Sequence, residues 1–210
     1  MSESPDEKAQ SNFTDPELHI MPTNNKGWDY CGNAQASVDA ACQIIVACDV
    51  TDAPNDKRQA EPMAQATRAN LAQAGIESSQ DEAGKAQAIP ATLDNGYYSE
   101  AAAQALEDLG FDPYMATGRQ KHHAPAAEAS DAPASAKERM AAKVRTPEGK
   151  ALYARRKVIV EPVFGQIKET RGFRRFLLRG LAKIRGEWCL VCLTHNLLKL
   201  WRYGSAQSAA

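Results

Sequence analysis

The chain has 210 residues, of which 43% are hydrophobic and 24% charged, and its formal net charge at neutral pH is −1. This length allows one domain of moderate size with a buried core. No apolar run reaches the roughly 18 residues of a membrane span, and no apolar leader follows Met1. The five cysteines are odd in number and lack the spacing of a disulfide framework, which predicts reduced thiols in a cytoplasmic protein.

The small net charge conceals a sharp division along the chain. Residues 1–136 carry 8 Lys and Arg against 21 Asp and Glu, a net charge of −13. Residues 137–210 carry 17 against 5, a net charge of +12. A basic segment of this kind is typical of proteins that bind polyanions, nucleic acids above all. The alternative is a basic helix that only balances the acidic half.

The first half of the chain predicts a short β-rich region after a polar start. Residues 1–26 are polar and proline-rich, which indicates a poorly ordered segment without a buried strand. The alternating residues 33–38 and the apolar residues 43–50 predict a β-hairpin whose turn lies near Asp39. A helix is expected from Asp56, as its N-cap, to about residue 74.

The next elements place one acidic residue at the end of a strand. Residues 89–93 predict a short strand that delivers Asp94 to an Asp-Asn-Gly turn. Ser99 is expected to cap a helix that ends at Gly110, and residues 111–116 predict another strand. A carboxylate at such a strand end is a common metal ligand in α/β sheets, although an ordinary turn would use the same residues.

The chain then enters an Ala/Pro/Ser-rich connector and ends in helices. Residues 117–149 predict this connector, with a short helix over 137–144; its adjacent His122 and His123 favour a solvated loop over a metal site. An apolar helix over about 188–201 is expected to be buried. It contains the spacing Cys189-x-x-Cys192-x-x-His195, which fits core positions or, less simply, part of a zinc site.

The stretch Tyr153–Lys168 combines one carboxylate with flanking cations. At about 100° per residue, Lys157, Glu161 and Lys168 fall within about 40° of one another on a helix, and Arg156 falls well off that face. A carboxylate can hold a hard divalent cation, and the lysines can hold phosphates. The alternative is a charged surface helix. Because proline disfavours helical geometry in the residue before it, a helix start at Pro162 is also possible.

Three motifs resemble one family. The sequence V-E-P-V-F-G-Q-I-K at 160–168, followed by R-G-F-R-R-F-L-L-R-G at 171–180, resembles the third-carboxylate region of bacterial insertion-sequence DDE transposases with a Tyr-Arg-Glu-Lys signature. L-D-N-G-Y-Y-S-E at 93–100 resembles the region around their second carboxylate. A third resemblance is N-A-Q-A-S-V-D, followed by Q-I-I-V-A-C-D-V-T and N-D, nearer the N-terminus. The motifs occur in the family's order over about residues 12–202.

The resemblance assigns roles to individual residues. Glu161 corresponds to the signature Glu and Lys168 to its Lys, while Lys157 stands where the family has Arg. Tyr153 lies one residue further from Glu161 than the signature requires. Asp94 corresponds to the second carboxylate. The resemblance implies that Asp94 and Glu161 bind Mg²⁺ or Mn²⁺ and that the basic residues hold DNA phosphates. The proposed DNA-binding residues are Lys157, Lys168, Arg171, Arg174, Arg175 and Arg179.

The resemblance also predicts fold and organisation. It implies an α/β, ribonuclease H-like fold whose first central strand, with the first catalytic Asp in a D-x-T context, is missing before Trp28. The expected organisation is a polar segment 1–26, a first catalytic part 27–116, the connector 117–149, C-terminal helices 150–203 and a tail 204–210. Asp39 is the candidate substitute for the missing Asp, and it is preferred to Asp49.

The predicted function is that of a transposase catalytic domain, truncated and inactive. The complete family cleaves and joins DNA strands with two divalent ions. The predicted partners are the DNA of the element ends and target, with association as a homodimer or with an intact transposase, and no membrane. Two alternatives are a non-catalytic DNA-binding remnant that interferes with an intact transposase, and an interaction protein with a basic tail.

Overall fold

The computed structural model describes residues 12–23, 27–76, 80, 86–118 and 135–208. The expectations for His122 and His123 lie outside these residues. The described strands are β1 (Ile20–Pro22), β2 (Trp28–Tyr30), β3 (Asn33–Val38), β4 (Ile45–Thr51), β5 (Ile89–Leu93) and β6 (Phe111–Met115). The described helices are α1 (Ala60–Gln73), α2 (Glu100–Asp108), α3 (Ala136–Arg145), α4 (Pro147–Gly165) and α5 (Leu181–Ser208).

The strands form three separate pairs. β1 pairs with β2 and β3 with β4, both antiparallel, whereas β5 and β6 are parallel and connected through α2. The α/β class predicted from the sequence is confirmed, and so is the hairpin near Asp39. Within the described residues, each strand has one hydrogen-bonded neighbour, so β3 and β5 each keep a free edge.

Two clusters of buried side chains form the core. The first joins α1, α2, β6 and α3 and is centred on Leu106 and Met115. The second joins β4 to α4 and α5 and includes Val50, Val163 and Trp188. β5, which leads to Asp94, packs on the first cluster, whereas α4 contacts both clusters, the first through Tyr153 and the second through Val163.

Helix α4 is continuous through its internal proline, so the alternative of a helix start at Pro162 is wrong. Pro162 has no N–H to donate to the carbonyl of Val158, one turn earlier. The side-chain amide of Gln43 donates to that carbonyl instead, at 2.8 Å. Gln43 lies in the β3–β4 turn in a left-handed conformation, with φ 58°. Contact with the hairpin thus replaces the hydrogen bond that the proline removes.

Helix α5 begins earlier than expected and receives acidic caps from the N-terminal segment. The carboxylate of Asp15 accepts from the N–H of Gly180 at 2.8 Å, and Glu17 accepts from the N–H of Leu181. Negative charge at a helix N-terminus is favourable because the free N–H groups and the helix dipole are positive there. The expectation of a segment without any buried strand is wrong for the part described, since Met21 of β1 is buried.

Other local predictions are confirmed with shifted ends. Residues 89–93 form β5 as predicted, Ser99 accepts from the N–H of Ala102 at the start of α2, and α3 occupies the expected short helix of the connector. Among the described helices, none has the length and apolar character needed to cross a membrane.

Candidate active site and nucleic-acid interface

Asp94 occupies the position predicted for it, at the carboxyl end of β5. Its Oδ1 accepts from the N–H of Asn95 at 2.7 Å and so caps the helical turn Asn95–Tyr97. The side chain remains 60% exposed. The carboxylate is thus held by its own backbone turn while its second oxygen is available to partners from other elements.

That second oxygen meets a cation from α4. The Nη1 of Arg156 lies 3.3 Å from Oδ2 of Asp94, and the guanidinium lies 5.2 Å from the ring centroid of Tyr153. Tyr153 and Arg156 are three residues apart and therefore share a helix face. Burial raises the pKa of Tyr153, an effect that Arg156 opposes and Asp94 adds to. The Nε of Arg156 is buried without a hydrogen-bond partner.

The sequence did not indicate a role for Arg156, because this residue lies off the helix face that Lys157 and Glu161 share. The spacing of Tyr153 and Arg156 was a signal that could have identified the pair. At about 100° per residue, Arg156 lies about 140° around the helix from Glu161. Asp94 therefore contacts a different face of α4 from the one that carries Glu161.

Lys157, Glu161 and Lys168 are all exposed to solvent. Lys157 and Glu161 lie on α4, whereas Lys168 lies in the π-helical turn Gln166–Thr170 that follows, with its Nζ 5.5 Å from the ring centroid of Phe164. In the described part of the chain, the Glu161 carboxylate makes no hydrogen bond or ion pair. The shared metal site of Asp94 and Glu161 stays a prediction.

The carboxylate of Asp39 accepts hydrogen bonds from the backbone of its own turn. Its Oδ1 accepts from the N–H of Ala41 and Cys42, and its Oδ2 from those of Cys42 and Ile44, at 2.8–3.1 Å. These bonds stabilise the β3–β4 turn, and no described contact joins Asp39 to Asp94. Its role as a substitute carboxylate stays a prediction. Asp49, the less favoured candidate, forms an ion pair with Arg185 at 2.8 Å.

A buried polar network lies beside the Asp94 turn. Gln35 of β3 is 2% exposed, and its amide donates to Asp56 at 2.9 Å and accepts from the hydroxyl of Tyr97. Asn33 also donates to Asp56, at 2.7 Å. Burial, Asp56 and Asp94 raise the pKa of Tyr97. The network joins β3 to the turn that carries Asp94.

Asp56 is thus not the N-cap expected of it. That position belongs to Gln59, which makes no side-chain capping bond. The sequence signal for the network was weak. A single Gln in an alternating strand does not indicate that both its amide nitrogen and its amide oxygen make hydrogen bonds to distant side chains.

The second candidate site is the loop 171–180, which we call the arginine loop. Its Phe173 and Phe176 pack against Trp188 of α5 with ring centroids 6.4 and 6.5 Å away. Glu187 accepts from the N–H groups of Leu177 and Leu178 at 3.0–3.1 Å. The aromatic anchors and this carboxylate fix the loop, and the sequence F-R-R-F then projects Arg174 and Arg175 outward.

The arginines of this loop differ in their partners. Arg171 donates to the side chain and carbonyl of Thr194, and Arg174 forms an ion pair with Glu169. Arg175 is exposed and makes no ion pair or hydrogen bond within the described residues, and Arg179 is also exposed. Arg175 and Arg179 are therefore the members best placed to meet an external anion.

The Cys-x-x-Cys-x-x-His spacing does not produce a metal cluster among the described residues. His195 is fully buried, with its Nε2 2.9 Å from the carbonyl oxygen of Gln43. Cys192 is buried, whereas Cys189 is exposed. Burial lowers the pKa of His195. The two buried side chains belong to the interface between α5 and the β3–β4 hairpin.

Comparison with protein families connects this geometry to known proteins. Residues 118–201 match a family model described as Transposase DDE domain. The matched part contains Glu161, Lys157, Lys168 and the arginine loop, and Asp94 precedes it. The resemblance predicted from the sequence is confirmed for this part. The comparisons with curated proteins and with solved structures found no match.

Proposed function

We propose, from the match of residues 118–201 to the transposase DDE domain, that this chain is part of a DNA transposase and that it binds DNA through its C-terminal region. The observation that carries the proposal is the position of the arginine loop inside the matched residues. Its aromatic anchors hold the backbone, so less conformational freedom is lost when the exposed arginines meet phosphates. Nucleic-acid binding is the chemistry to which such fixed, exposed guanidinium groups are suited.

The catalytic part of the proposal concerns the carboxylates. Transposases of this class use divalent metal ions, and Asp94 and Glu161 would supply hard oxygen ligands of the type that Mg²⁺ prefers. Two carboxylates do not complete a centre for two ions, and the described residues contain no group of three suitable ligands. We therefore derive no metal-dependent step for this chain.

The strand pairing supports the ribonuclease H-like part of the proposal. A sheet of this class needs a central strand between the antiparallel pair β3–β4 and the parallel pair β5–β6. The described residues provide both pairs and leave an edge of β3 and of β5 unpaired. We infer that these residues lack the central strand that carries the first carboxylate. Strand cleavage with Mg²⁺ or Mn²⁺ should then be absent; activity that disappears in Asp39→Asn, with folding unchanged, would contradict this.

DNA binding is tested by its dependence on salt. We expect the affinity of the purified chain for a short duplex to fall steeply between about 50 and 200 mM salt, since each neutralised phosphate contributes about −0.9 to the slope of log affinity against log salt. Arg175→Ala should reduce the magnitude of that slope by about one phosphate contact. Fluorescence anisotropy at several salt concentrations measures both quantities.

The matched control is Arg58→Ala. Arg58 is also exposed but lies in the acidic half of the chain. It should leave the slope unchanged. Equal effects of the two substitutions, or an affinity that does not depend on salt, would contradict the proposed interface.

A second observation favours association with another copy of the chain. On α5, Leu190, Leu193, Leu197 and Leu200 are each more than half exposed and repeat with the three-four spacing of a coiled-coil seam. Trp188 and His195 are buried on the opposite side of the helix. The stripe is only about 16 Å long. This is small beside a stable interface of about 800 Å² per partner, so we propose a weak homodimer.

The homodimer is tested by sedimentation over a range of protein concentrations. Leu193→Glu should prevent dimer formation. Leu178→Glu, at an equally exposed leucine in the arginine loop, should not. A monomer at every concentration would contradict the homodimer and leave the stripe available for an intact transposase.

A further inference from the structure

Three of the five cysteines meet where α5 packs on β4. Cys48 lies on β4, and Cys189 and Cys192 lie three residues apart on α5. The Sγ atoms of Cys48 and Cys189 are 3.6 Å apart, although 141 positions separate the residues in sequence. Three residues on a helix correspond to about one turn, so both helical thiols face the strand. The packing of α5 on β4 thus assembles the group.

The three thiols have different chemical environments. Donation from the Cys192 thiol, followed by that from Cys189, lowers the pKa of Cys48 to about 7, against the opposing effects of burial and Asp49. Burial and the contact with Cys48 raise the pKa of Cys189 to about 11. The contact with Cys48, followed by burial, raises the pKa of Cys192. Of the three, Cys48 therefore ionises most readily near neutral pH, and its two neighbours remain thiols that can donate to its thiolate.

Accessibility distinguishes the two neighbours. Cys189 is exposed, Cys48 is half-buried and Cys192 is buried. A small reagent can reach the pair Cys48–Cys189 from solvent, whereas Cys192 stays behind it. A disulfide requires an S–S distance of about 2.05 Å, so the two sulfurs must approach by roughly 1.5 Å. Rotation of the exposed Cys189 side chain can supply most of this movement.

We propose that Cys48 and Cys189 form a redox-sensitive dithiol that a low-molecular-weight disulfide converts into a disulfide between β4 and α5. The Cys48 thiolate attacks one sulfur of the reagent, which releases one thiolate and leaves a mixed disulfide on Cys48. Cys189 then attacks the Cys48 sulfur and releases the second thiolate. The two protons of the protein thiols end on the two released thiols, so one disulfide is reduced for each one formed.

The bond would fix the helix that completes the second core cluster. It closes a loop of 141 positions, and cross-links that close long loops restrict the unfolded chain most. The oxidised protein should therefore resist denaturant better than the reduced one, with the urea midpoint raised by roughly 1–2 M. An unchanged or lower midpoint would contradict the geometry proposed for the bond.

The experiment treats the reduced full chain with glutathione disulfide, blocks the remaining thiols by alkylation and maps the peptides by mass spectrometry. The expected product is a peptide pair joined through Cys48 and Cys189, which dithiothreitol separates. In Cys189→Ser, glutathione should accumulate on Cys48 instead. Cys31→Ser and Cys42→Ser are the matched controls and should leave the cross-link unchanged.

A kinetic measurement checks the role of Cys192. In Cys192→Val the thiol that donates to Cys48 is lost, and alkylation of Cys48 at neutral pH should slow roughly tenfold because the thiolate fraction falls. Circular dichroism confirms the fold of each variant, and Cys192→Ala replaces the valine variant if that one unfolds. Faster alkylation of Cys31 or Cys42 than of Cys48 in the unmodified chain would overturn the proposal, as would a random mixture of disulfides.

Discussion

Replacing Gln35 by Ala should be among the more damaging single changes in this protein. Gln35 is 2% exposed, and its amide joins the Asp56 carboxylate to the hydroxyl of Tyr97. A hydrogen bond to a charged group contributes about 1.5–3 kcal/mol and a neutral one about 1 kcal/mol. We expect the free energy of unfolding to fall by about 2.5–4 kcal/mol, on the assumption that Asn33 still donates to Asp56. Urea denaturation followed by circular dichroism measures this.

Gln65→Ala is the matched control. Gln65 lies on the exposed side of α1 and donates to Glu61 one turn earlier, at 3.1 Å. Such pairs contribute about 0.2–0.5 kcal/mol. A third variant, Gln35→Glu, keeps the shape of the side chain but places a second carboxylate beside Asp56, and it should destabilise as strongly. If Gln35→Ala costs no more than Gln65→Ala, the network does not stabilise the fold.

Three further predictions follow from the packing around α4 and α5. Burial lowers the pKa of His195 in the folded protein, so below about pH 6.5 the unfolded chain binds a proton at this residue more readily than the folded chain does. The stability that neutral His195 supports is therefore lost as the pH falls, and the difference in unfolding free energy between the unmodified chain and His195→Gln should shrink from roughly pH 7.5 to pH 5.5. A constant difference would contradict this. Ile167→Ala, at a fully buried position, should cost about 2–5 kcal/mol in urea denaturation, whereas Val158→Ala, at an exposed one, should cost little. Pro162→Ala should stabilise α4 by about 1 kcal/mol or more, since its N–H can donate to the Val158 carbonyl and the proline ring is removed. A loss of stability would show that the bond from Gln43 already compensates for the proline.

The sequence predicted those features whose causes are local. β5 ends at Leu93 as expected, because an Asp-Asn-Gly turn follows an apolar run. α2 begins where Ser99 can cap it and ends at Asp108, two residues before Gly110, whose φ of 78° favours glycine. The match to the family model covers the short motif that contains Glu161, whose role stays a prediction. In each case the information lies within a few residues of the feature.

Features made by distant contacts could not be predicted in the same way. The ion pair of Asp94 with Arg156 joins a strand end to a helix, and neither motif specifies that Asp94 meets the helix face that carries Tyr153 and Arg156. The continuity of α4 through Pro162 depends on Gln43, 115 positions away from Val158. Local rules correctly identified the missing donor of the proline. They could not identify the side chain that takes its place.

The position of α5 determines when this protein can finish folding. Its Trp188 donates to the carbonyl of Gln35 across 153 positions, and its Asn196 bonds to Ile45 across 151. A chain synthesised from its N-terminus at about 5–20 residues per second makes the β3–β4 hairpin many seconds before the helix that covers it. The apolar face of that hairpin remains exposed to solvent during this interval. Ribosome-bound chains that stop before residue 181 should therefore engage chaperones, and release of the last helix should end that engagement.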